Sequence, residues 1–233
     1  MINQKTVLIT GANRGIGLEI GHQLGQKGFQ VILTGRNTTS GKTAVKHLKS
    51  KNIDAYWYTL DLCDPKSIES AFLKVSHQVD RLDVLVNNGG VLVNENRSIL
   101  KPAPEEDLLS VKTNALGALW VTQYFMPLLK PGSRVIMISS GAGKFNNNTS
   151  TWAPHYRISK TLMNAITKQL HLSLANNAVI INSVCPGWVR TQMGGQNAAR
   201  SIEKGAETPV WLATEASPTI NGKLLRDKQE IQW

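Results

Sequence analysis

Apolar residues gather along this chain in short unbroken runs, separated by longer stretches in which apolar and polar positions mix. The runs are Val7-Leu8-Ile9, Val31-Ile32-Leu33, Val84-Leu85-Val86, Val135-Ile136-Met137-Ile138 and Val179-Ile180-Ile181. Tyr56-Trp57-Tyr58 is weaker, and Lys223-Leu224-Leu225 is a candidate last strand. Strands without polar alternation are covered on both faces, as in a parallel sheet between helices. The spacers have helical length: Ile16 to Lys27, Lys66 to Val79, Glu105 to Leu129, Tyr156 to Ala175 and Arg200 to Thr214. Pro65 and Pro104 sit where a helix starts, and Pro131-Gly132 predicts a stop after the segment Glu105 to Leu129. The alternation predicts an α/β, doubly wound parallel sheet of about seven strands with helices on both faces. With no repeat, low-complexity segment or linker, residues 1–233 read as one domain. Asn146 to Thr151 is expected as a polar loop, and the Gly- and Gln-rich stretch Trp188 to Glu203 as a mobile one.

Composition narrows the function classes. Hydrophobic content of 41% and charged content of 18% are those of a soluble globule. No apolar run approaches the ~20 residues of a membrane span, and the amino-terminal residues lead straight into a strand without a signal-peptide pattern. The expected address is the cytoplasm, with no membrane partner. Cys63 and Cys185 form neither a metal spacing nor a disulfide framework. The net charge of +10 is dispersed, with no basic run and no aromatic-interleaved stretch, which argues against nucleic acid. A polyanionic cofactor needs only a few of these charges.

The first chemical signal follows the first strand. Thr10-Gly11-Ala12-Asn13-Arg14-Gly15-Ile16-Gly17 leads into a helix. Glycines there permit a tight turn, close approach of backbone to a pyrophosphate, and close packing of helix on strand. The helix N-terminus adds free N–H groups and a positive dipole end. Enzymes that prefer NAD place an acid at the end of the second strand, where it accepts from the ribose 2′-OH. Here that strand ends Leu33-Thr34-Gly35-Arg36-Asn37, with no acid. Arg36 and Arg14 supply two guanidinium forks that suit a 2′-phosphate, so the expected cofactor is NADP(H).

The second signal is Tyr156 and Lys160, four residues apart and so on one helical face. A free tyrosine ionises near ~10, and a neighbouring cation lowers that value, making the pair a proton donor and acceptor for a carbonyl/alcohol couple. Ser139-Ser140 closes the fifth apolar run. His155 reads as a polar pocket or cap residue rather than a catalyst.

The Gly-x-x-x-Gly-x-Gly spacing is followed in order by Asn87-Asn88-Gly89-Gly90, Asn114, Ser139-Ser140, Tyr156 with Lys160, Pro186-Gly187 and Thr191. This series resembles the short-chain dehydrogenase/reductase family over essentially the whole chain, and the resemblance implies a Rossmann fold. It implies that Tyr156 donates the proton, that Ser140 rather than Ser139 polarises the carbonyl, and that Lys160 also binds the nicotinamide ribose. Asn114, a poor helix former inside a long helix, then holds a water in a relay to Lys160. Toward the cofactor it implies Gly11, Asn13, Arg14, Gly15, Ile16 and Gly17 in the first turn, with Arg36 and Asn37 after the second strand. Asp61 meets the adenine amino group with Leu62 beside it, and Asn87 and Asn88 brace the adenosine side. Thr191 holds the carboxamide, with Pro186, Gly187 and Val189 near it. Gly89 stands where the family commonly has alanine, and the smaller residue is expected to be tolerated.

Local matches point to the NADPH-dependent carbonyl reductase branch, notably Cys185-Pro186-Gly187-Trp188-Val189-Arg190-Thr191. The expected partner is a small-molecule carbonyl: an aldehyde, ketone or quinone. Ser140, Trp188 and Met193 are the substrate-contact candidates, and Phe145 and Trp152 could supply further apolar walls. Some animal carbonyl reductases carry a long insertion between serine and tyrosine that is linked to a monomeric state; here 15 residues separate Ser140 from Tyr156. A homodimer or homotetramer is therefore expected. Two other readings stay open: a 3-oxoacyl-acyl-carrier-protein reductase, and an NADP(H)-binding sensor that does no chemistry.

Overall fold

The computed structural model describes residues 4–146 and 150–233. Of the expected polar loop at 146–151, residues 147–149 lie outside the described part. The apolar runs become β1 (Thr6–Ile9), β2 (Gln30–Gly35), β3 (Ala55–Thr59), β4 (Leu82–Asn87), β5 (Leu129–Ile138), β6 (Ile180–Val184) and β7 (Leu224–Arg226). An eighth strand, β8 (Gln229–Ile231), pairs antiparallel with β7. The expectation of about seven parallel strands missed it because Gln229-Glu230-Ile231 contains no apolar run.

All eight strands join one sheet in the order β3-β2-β1-β4-β5-β6-β7-β8. The order reverses between β1 and β4, so a crevice opens there at the carboxyl ends of the strands. Successive strand residues enter opposite layers. Val7, Ile9, Val31, Leu33, Val84 and Val86 pack with residues of α1 (Gly15–Gln26), α2 (Thr38–Lys49) and α7 (Ile202–Thr214). Leu8, Ile32, Leu85, Val135 and Met137 pack with residues of α3 (Pro65–Ser76), α5 (Gly117–Phe125) and α6 (Pro154–Leu174). Burying one such side chain contributes roughly 1.5–3 kcal/mol, which is why the polar ends of the strands, not their middles, are left for chemistry. Helix starts follow local rules. Asn37 Oδ1 accepts from Ser40 N at 2.9 Å, and Asp64 Oδ1 accepts from Lys66 N at 3.0 Å ahead of Pro65.

Three expectations change. The segment read as one helix from Glu105 to Leu129 is α4 (Pro104–Val111), a π turn (Lys112–Leu116), α5 and a 3-10 turn (Met126–Leu128), after which Leu129 opens β5. A π turn adds a residue to the helical circuit, and Lys112-Thr113-Asn114-Ala115-Leu116 carries no Gly or Pro to mark it. Pro131-Gly132, expected as the stop, lies inside β5, where the register against β4 shifts and Ser133 Oγ donates to Leu82 O at 2.7 Å. The stretch Trp188 to Glu203, expected to be mobile, is a bonded loop. Arg200 N donates to Trp188 O at 3.0 Å and Arg190 N to Arg200 O at 2.9 Å. The Arg200 guanidinium reaches both oxygens of Asp227 at 2.6 and 2.7 Å, and Trp188 Nε1 donates to Gly194 O at 2.8 Å.

Candidate active site

Gly11 and Gly15 hold φ of +61° and +59°, a region side chains avoid. A Cβ on Gly11 would lie 2.6 Å from Gly89 Cα, and one on Gly17 would lie 2.4 Å from Asn88 Nδ2. The turns after β1 and β4 therefore touch. Asn88 Nδ2 donates to Thr10 O at 2.9 Å and Gly11 O at 3.0 Å, while Thr10 Oγ1 accepts from the backbone N–H groups of Asn88 and Gly89 at 3.0 Å each. Asn88 thus fixes the shape of the glycine turn. Asn87 points the other way. It is buried, donates to Thr122 Oγ1 at 3.0 Å, and has an Oδ1 without a partner among the described residues. Of the expected pair, Asn88 alone reaches the turn.

The amino end of α1 has neither a side-chain cap nor an acid in its first turn, so the N–H groups after Arg14 stay available to an anion. Ile16 packs against the core beneath it. From the far side, Thr191 approaches the same turn: a Cβ on Gly15 would be 3.5 Å from its Cγ2. Thr191 Oγ1 accepts from Gly194 N at 3.0 Å. Gly187 has φ +81° and packs on Arg200, whose Nη1 lies 3.5 Å from Pro186 O, and Val189 bridges to Arg200 through the backbone.

Beyond β2, Arg36 and Asn37 are exposed, as is Arg14. Neither arginine forms an ion pair among the described residues. Asn13 Nδ2 donates to Ser40 Oγ at 3.1 Å, tying the glycine turn to the cap of α2. Asp61 Oδ1 accepts from Cys63 N at 2.9 Å. Leu62 is buried, and a Cβ on Gly89 would meet its Cδ1 at 2.5 Å. Two guanidinium groups without ion pairs among the described residues, with no acid at the end of β2, beside a turn in which three Cβ positions are vacant, fit a phosphorylated dinucleotide.

At the end of β5 the two serines separate by strand alternation. Ser139 is buried and its Oγ donates to Asn164 Oδ1 at 2.6 Å. Ser140 begins a 3-10 turn and its Oγ accepts from Ala142 N at 3.1 Å, which leaves its O–H free to donate. That turn rests on α6: Asn164 Nδ2 donates to Gly143 O at 3.0 Å.

Helix α6 delivers Tyr156 and Lys160 beside Ser140, starting two residues earlier than expected. The surroundings of the Tyr156 hydroxyl push its pKa up to about 12; burial is the main cause, and the neighbouring Ser140 hydroxyl pulls the other way. Burial pushes Lys160 down to about 8, with Cys185 opposing it. The expected lowering of Tyr156 by Lys160 is not what this geometry gives. Nζ lies 5.7 Å from the ring centroid and donates to Ile138 O at 2.7 Å, so desolvation governs both groups.

Asn114 lies on the π turn, fully buried. Its Nδ2 donates to Val91 O and Ser159 Oγ, both at 2.9 Å, and its Oδ1 accepts from Val91 N at 2.7 Å. Both amide protons are committed to joining the turn after β4 to α6, and a relay water would have only the remaining lone pair of Oδ1. Lys160 Nζ is near: a Cβ on Gly90 would lie 3.1 Å from Asn114 Oδ1 and 3.8 Å from Lys160 Nζ. Trp152 meets the Tyr156 ring edge-on at 6.2 Å. Trp188, Met193 and Phe145 are exposed large apolar side chains. Sequence reasoning missed the buried pair Arg97 and His155, which lie 58 positions apart and carry no local signal.

Comparisons with known proteins agree with this geometry. The family model described as short chain dehydrogenase matches residues 5–201. Carbonyl reductase (NADPH) 1 of Sus scrofa is 31% identical over 276 aligned positions, which cover 99% of this chain and 95% of the relative. Since this chain has 233 residues, the relative carries segments that it lacks. Among solved structures, the NADPH-bound carbonyl reductase from chicken fatty liver superposes with a TM-score of 0.89 at 25% identity, covering all of both chains. The carbonyl reductase Sniffer of D. melanogaster gives 0.90 at 26% identity, covering 99% of this chain and 100% of that one. With the glycine turn, the serine and the tyrosine–lysine pair at the strand ends of one doubly wound sheet, the chain belongs to the short-chain dehydrogenase/reductase family.

Proposed function

We propose that this protein is an NADPH-dependent reductase of aldehydes, ketones or quinones, and that residues 1–233 act as one catalytic unit. The observation that carries the reading is geometric: α6 sets Tyr156 and Lys160 one turn apart beside Ser140 at the carboxyl edge of the sheet, next to the glycine turn. The surroundings of Tyr156 push its pKa up to about 12, with burial the main cause. An alkoxide is far more basic than even this phenolate, so proton transfer from Tyr156 to a nascent alkoxide runs downhill.

When bound, NADPH supplies the hydride that the carbonyl carbon accepts. Gly11, Asn13, Gly15, Ile16 and Gly17 would hold its pyrophosphate, Arg14, Arg36 and Asn37 its 2′-phosphate, and Asp61, Leu62, Asn88 and Gly89 its adenosine half. Asn87 would support that half from below. Pro186, Gly187, Val189 and Thr191 would hold the nicotinamide end. Ser140 donates to the carbonyl oxygen and polarises it. Tyr156 O–H then releases its proton to that oxygen, and Lys160, one turn along α6, would hold the nicotinamide ribose. Asn114 keeps the turn after β4 in place beside Lys160. Trp188 and Met193 would close the substrate end.

NADPH oxidation measured with a carbonyl panel tests the reading, with Tyr156→Phe alongside. Loss of the proton donor is expected to lower kcat about 10²- to 10⁴-fold. Undiminished turnover in that variant would overturn the mechanism. Arg36→Asp is expected to raise the KM for NADPH far more than that for NADH; equal changes would remove the 2′-phosphate assignment.

Exposed Leu108 and Leu109 on α4 and Ile158 and Leu172 on α6 support association of two or four copies. A monomeric mass in solution would end that reading. We place the protein in the cytoplasm, where the free thiols Cys63 and Cys185 would stay reduced; no described helix is long and apolar enough to cross a membrane. A second enzymatic reading has its own support. The net charge of +10 suits an acidic carrier protein, and the NADPH-bound actinorhodin polyketide ketoreductase superposes with a TM-score of 0.85 at 27% identity. Preference for acetoacetyl substrates over simple ketones would reverse the choice.

A further inference from the structure

A buried cation sits outside the cluster of Asn114, Ser140, Tyr156 and Lys160. The Arg97 side chain is 6% exposed and lies in the segment between β4 and α4. Its Nη2 pairs with Asp107, its Nε lies 3.4 Å from Glu106 Oε2, and its Nη1 donates to Lys101 O at 2.6 Å. It also faces His155, 3.5 Å from Nη2 to Nδ1. His155 is buried, precedes Tyr156 directly, and its Nε2 meets Val93 O.

The two contacts give each ring nitrogen a facing group. A carbonyl only accepts, so Nε2 carries the hydrogen. A guanidinium only donates, so Nδ1 presents its lone pair. His155 is thus a crosspiece between Arg97 and Val93, with a partner at each ring nitrogen. The same segment is tied at further points. Asn94 Nδ2 lies 3.3 Å from both Glu106 oxygens, Ala153 N donates to Glu95 O at 2.9 Å, and Val91 is held at both backbone groups by Asn114.

We propose that Arg97 and His155 are positioning residues that clamp the segment Val91–Arg97 onto the start of α6 and so fix the chain after β4 relative to Tyr156. The inference rests on the reductase reading for its kinetic consequence, but not for the clamp itself. None of the groups touches the reacting atoms; the effect passes through the register between the segment and the helix. Glu106 and Asp107 are 35% and 47% exposed, so removing the guanidinium strands no buried carboxylate. Arg97→Met is therefore expected to fold.

Two measurements on the full chain with NADPH test the proposal. Hydrogen exchange of the amides in 91–97 is expected to speed up in Arg97→Met and in His155→Phe, with the core strands unchanged. In the same variants kcat/KM for the carbonyl is expected to fall about 10- to 100-fold, with the Kd of NADPH, read by fluorescence, within about twofold of wild type. The double variant is expected to match the worse single, because both residues act through one clamp. His155→Gln, which keeps a donor toward Val93, is expected to restore part of the protection. Unchanged exchange in Arg97→Met would overturn the clamp. Faster exchange with unaltered carbonyl kinetics, or equal losses in NADPH binding and turnover, would overturn the positioning role. A wild-type protein that turns over no carbonyl would sink the reductase reading instead, while the exchange data still decide the clamp.

Discussion

Replacing Lys160 by methionine is expected to make the cofactor-free protein more stable near neutral pH. The ammonium is 4% exposed, and burial depresses its pKa from 10.5 to about 8. At 1.36 kcal/mol per unit, that depression corresponds to about 3 kcal/mol of charge desolvation carried by the folded state. Methionine removes this penalty but forfeits the hydrogen bond to Ile138 O, about 1 kcal/mol. The net gain is about 2 kcal/mol, which for a chain of this size is a rise in Tm of roughly 4–8 °C. The sign can be checked through pH. Between about 8 and 10.5 the unfolded chain holds a proton on Lys160 that the folded chain has released. Wild-type stability on this account is full above 10.5 and is lost as pH falls through the folded value near 8. The advantage of Lys160→Met should therefore be present at about pH 7, shrink across that window and vanish above it. Thermal unfolding followed by circular dichroism at several pH values reads this directly. If the variant is less stable at neutral pH, or if the two stability profiles run parallel, the buried ammonium is not a strained group and the reasoning fails.

The remaining predictions concern the turns around the site. Ser139→Ala should lower stability by about 1–3 kcal/mol, since it leaves the Asn164 oxygen unpartnered. Turnover per folded molecule should be kept, whereas Ser140→Ala should keep stability and lose turnover; the reverse pattern would exchange the roles of the two serines. Gly11→Ala forces a side chain to φ +61° and into Gly89 backbone, and should abolish NADPH binding measured by fluorescence. Gly89→Ala meets only the Leu62 methyl group and should cost less than about 1.5 kcal/mol with binding intact. Asn37→Ala should lower Tm by roughly 2–4 °C through loss of the α2 cap, read by calorimetry.

Much of this architecture is readable from residue types because parallel strands covered on both faces leave unbroken apolar runs. The chemical residues stand where those runs end, so Gly11, Arg36, Asn88, Ser140 and Pro186 are visible together. What sequence could not carry is rotation and distance. The π turn that carries Asn114 has no Gly or Pro to mark it. Strand alternation, not composition, turns Ser139 into α6 and leaves Ser140 at the cleft. Asn87 and Asn88 are adjacent and look alike, yet the strand sends one inward and one to the glycine turn. The electrostatics of Tyr156 and Lys160 also escaped, because one-turn spacing brings the groups near but says nothing of how dry their surroundings are. Arg97 and His155 meet only through the fold.

The loop whose ends meet at Val189 and Arg200 is stapled at its base, and beyond Thr191 its tip around Gly195 has open space. Its base is closed by backbone bonds and anchored to Asp227, so the sheet does not depend on what lies between. Doubling the length of a loop with fixed ends adds only about 0.6 kcal/mol of closure entropy. Insertions there can accumulate at little cost to folding, and descendants of this chain could acquire new substrate preferences by lengthening one stapled segment while the proton-transfer residues stay untouched.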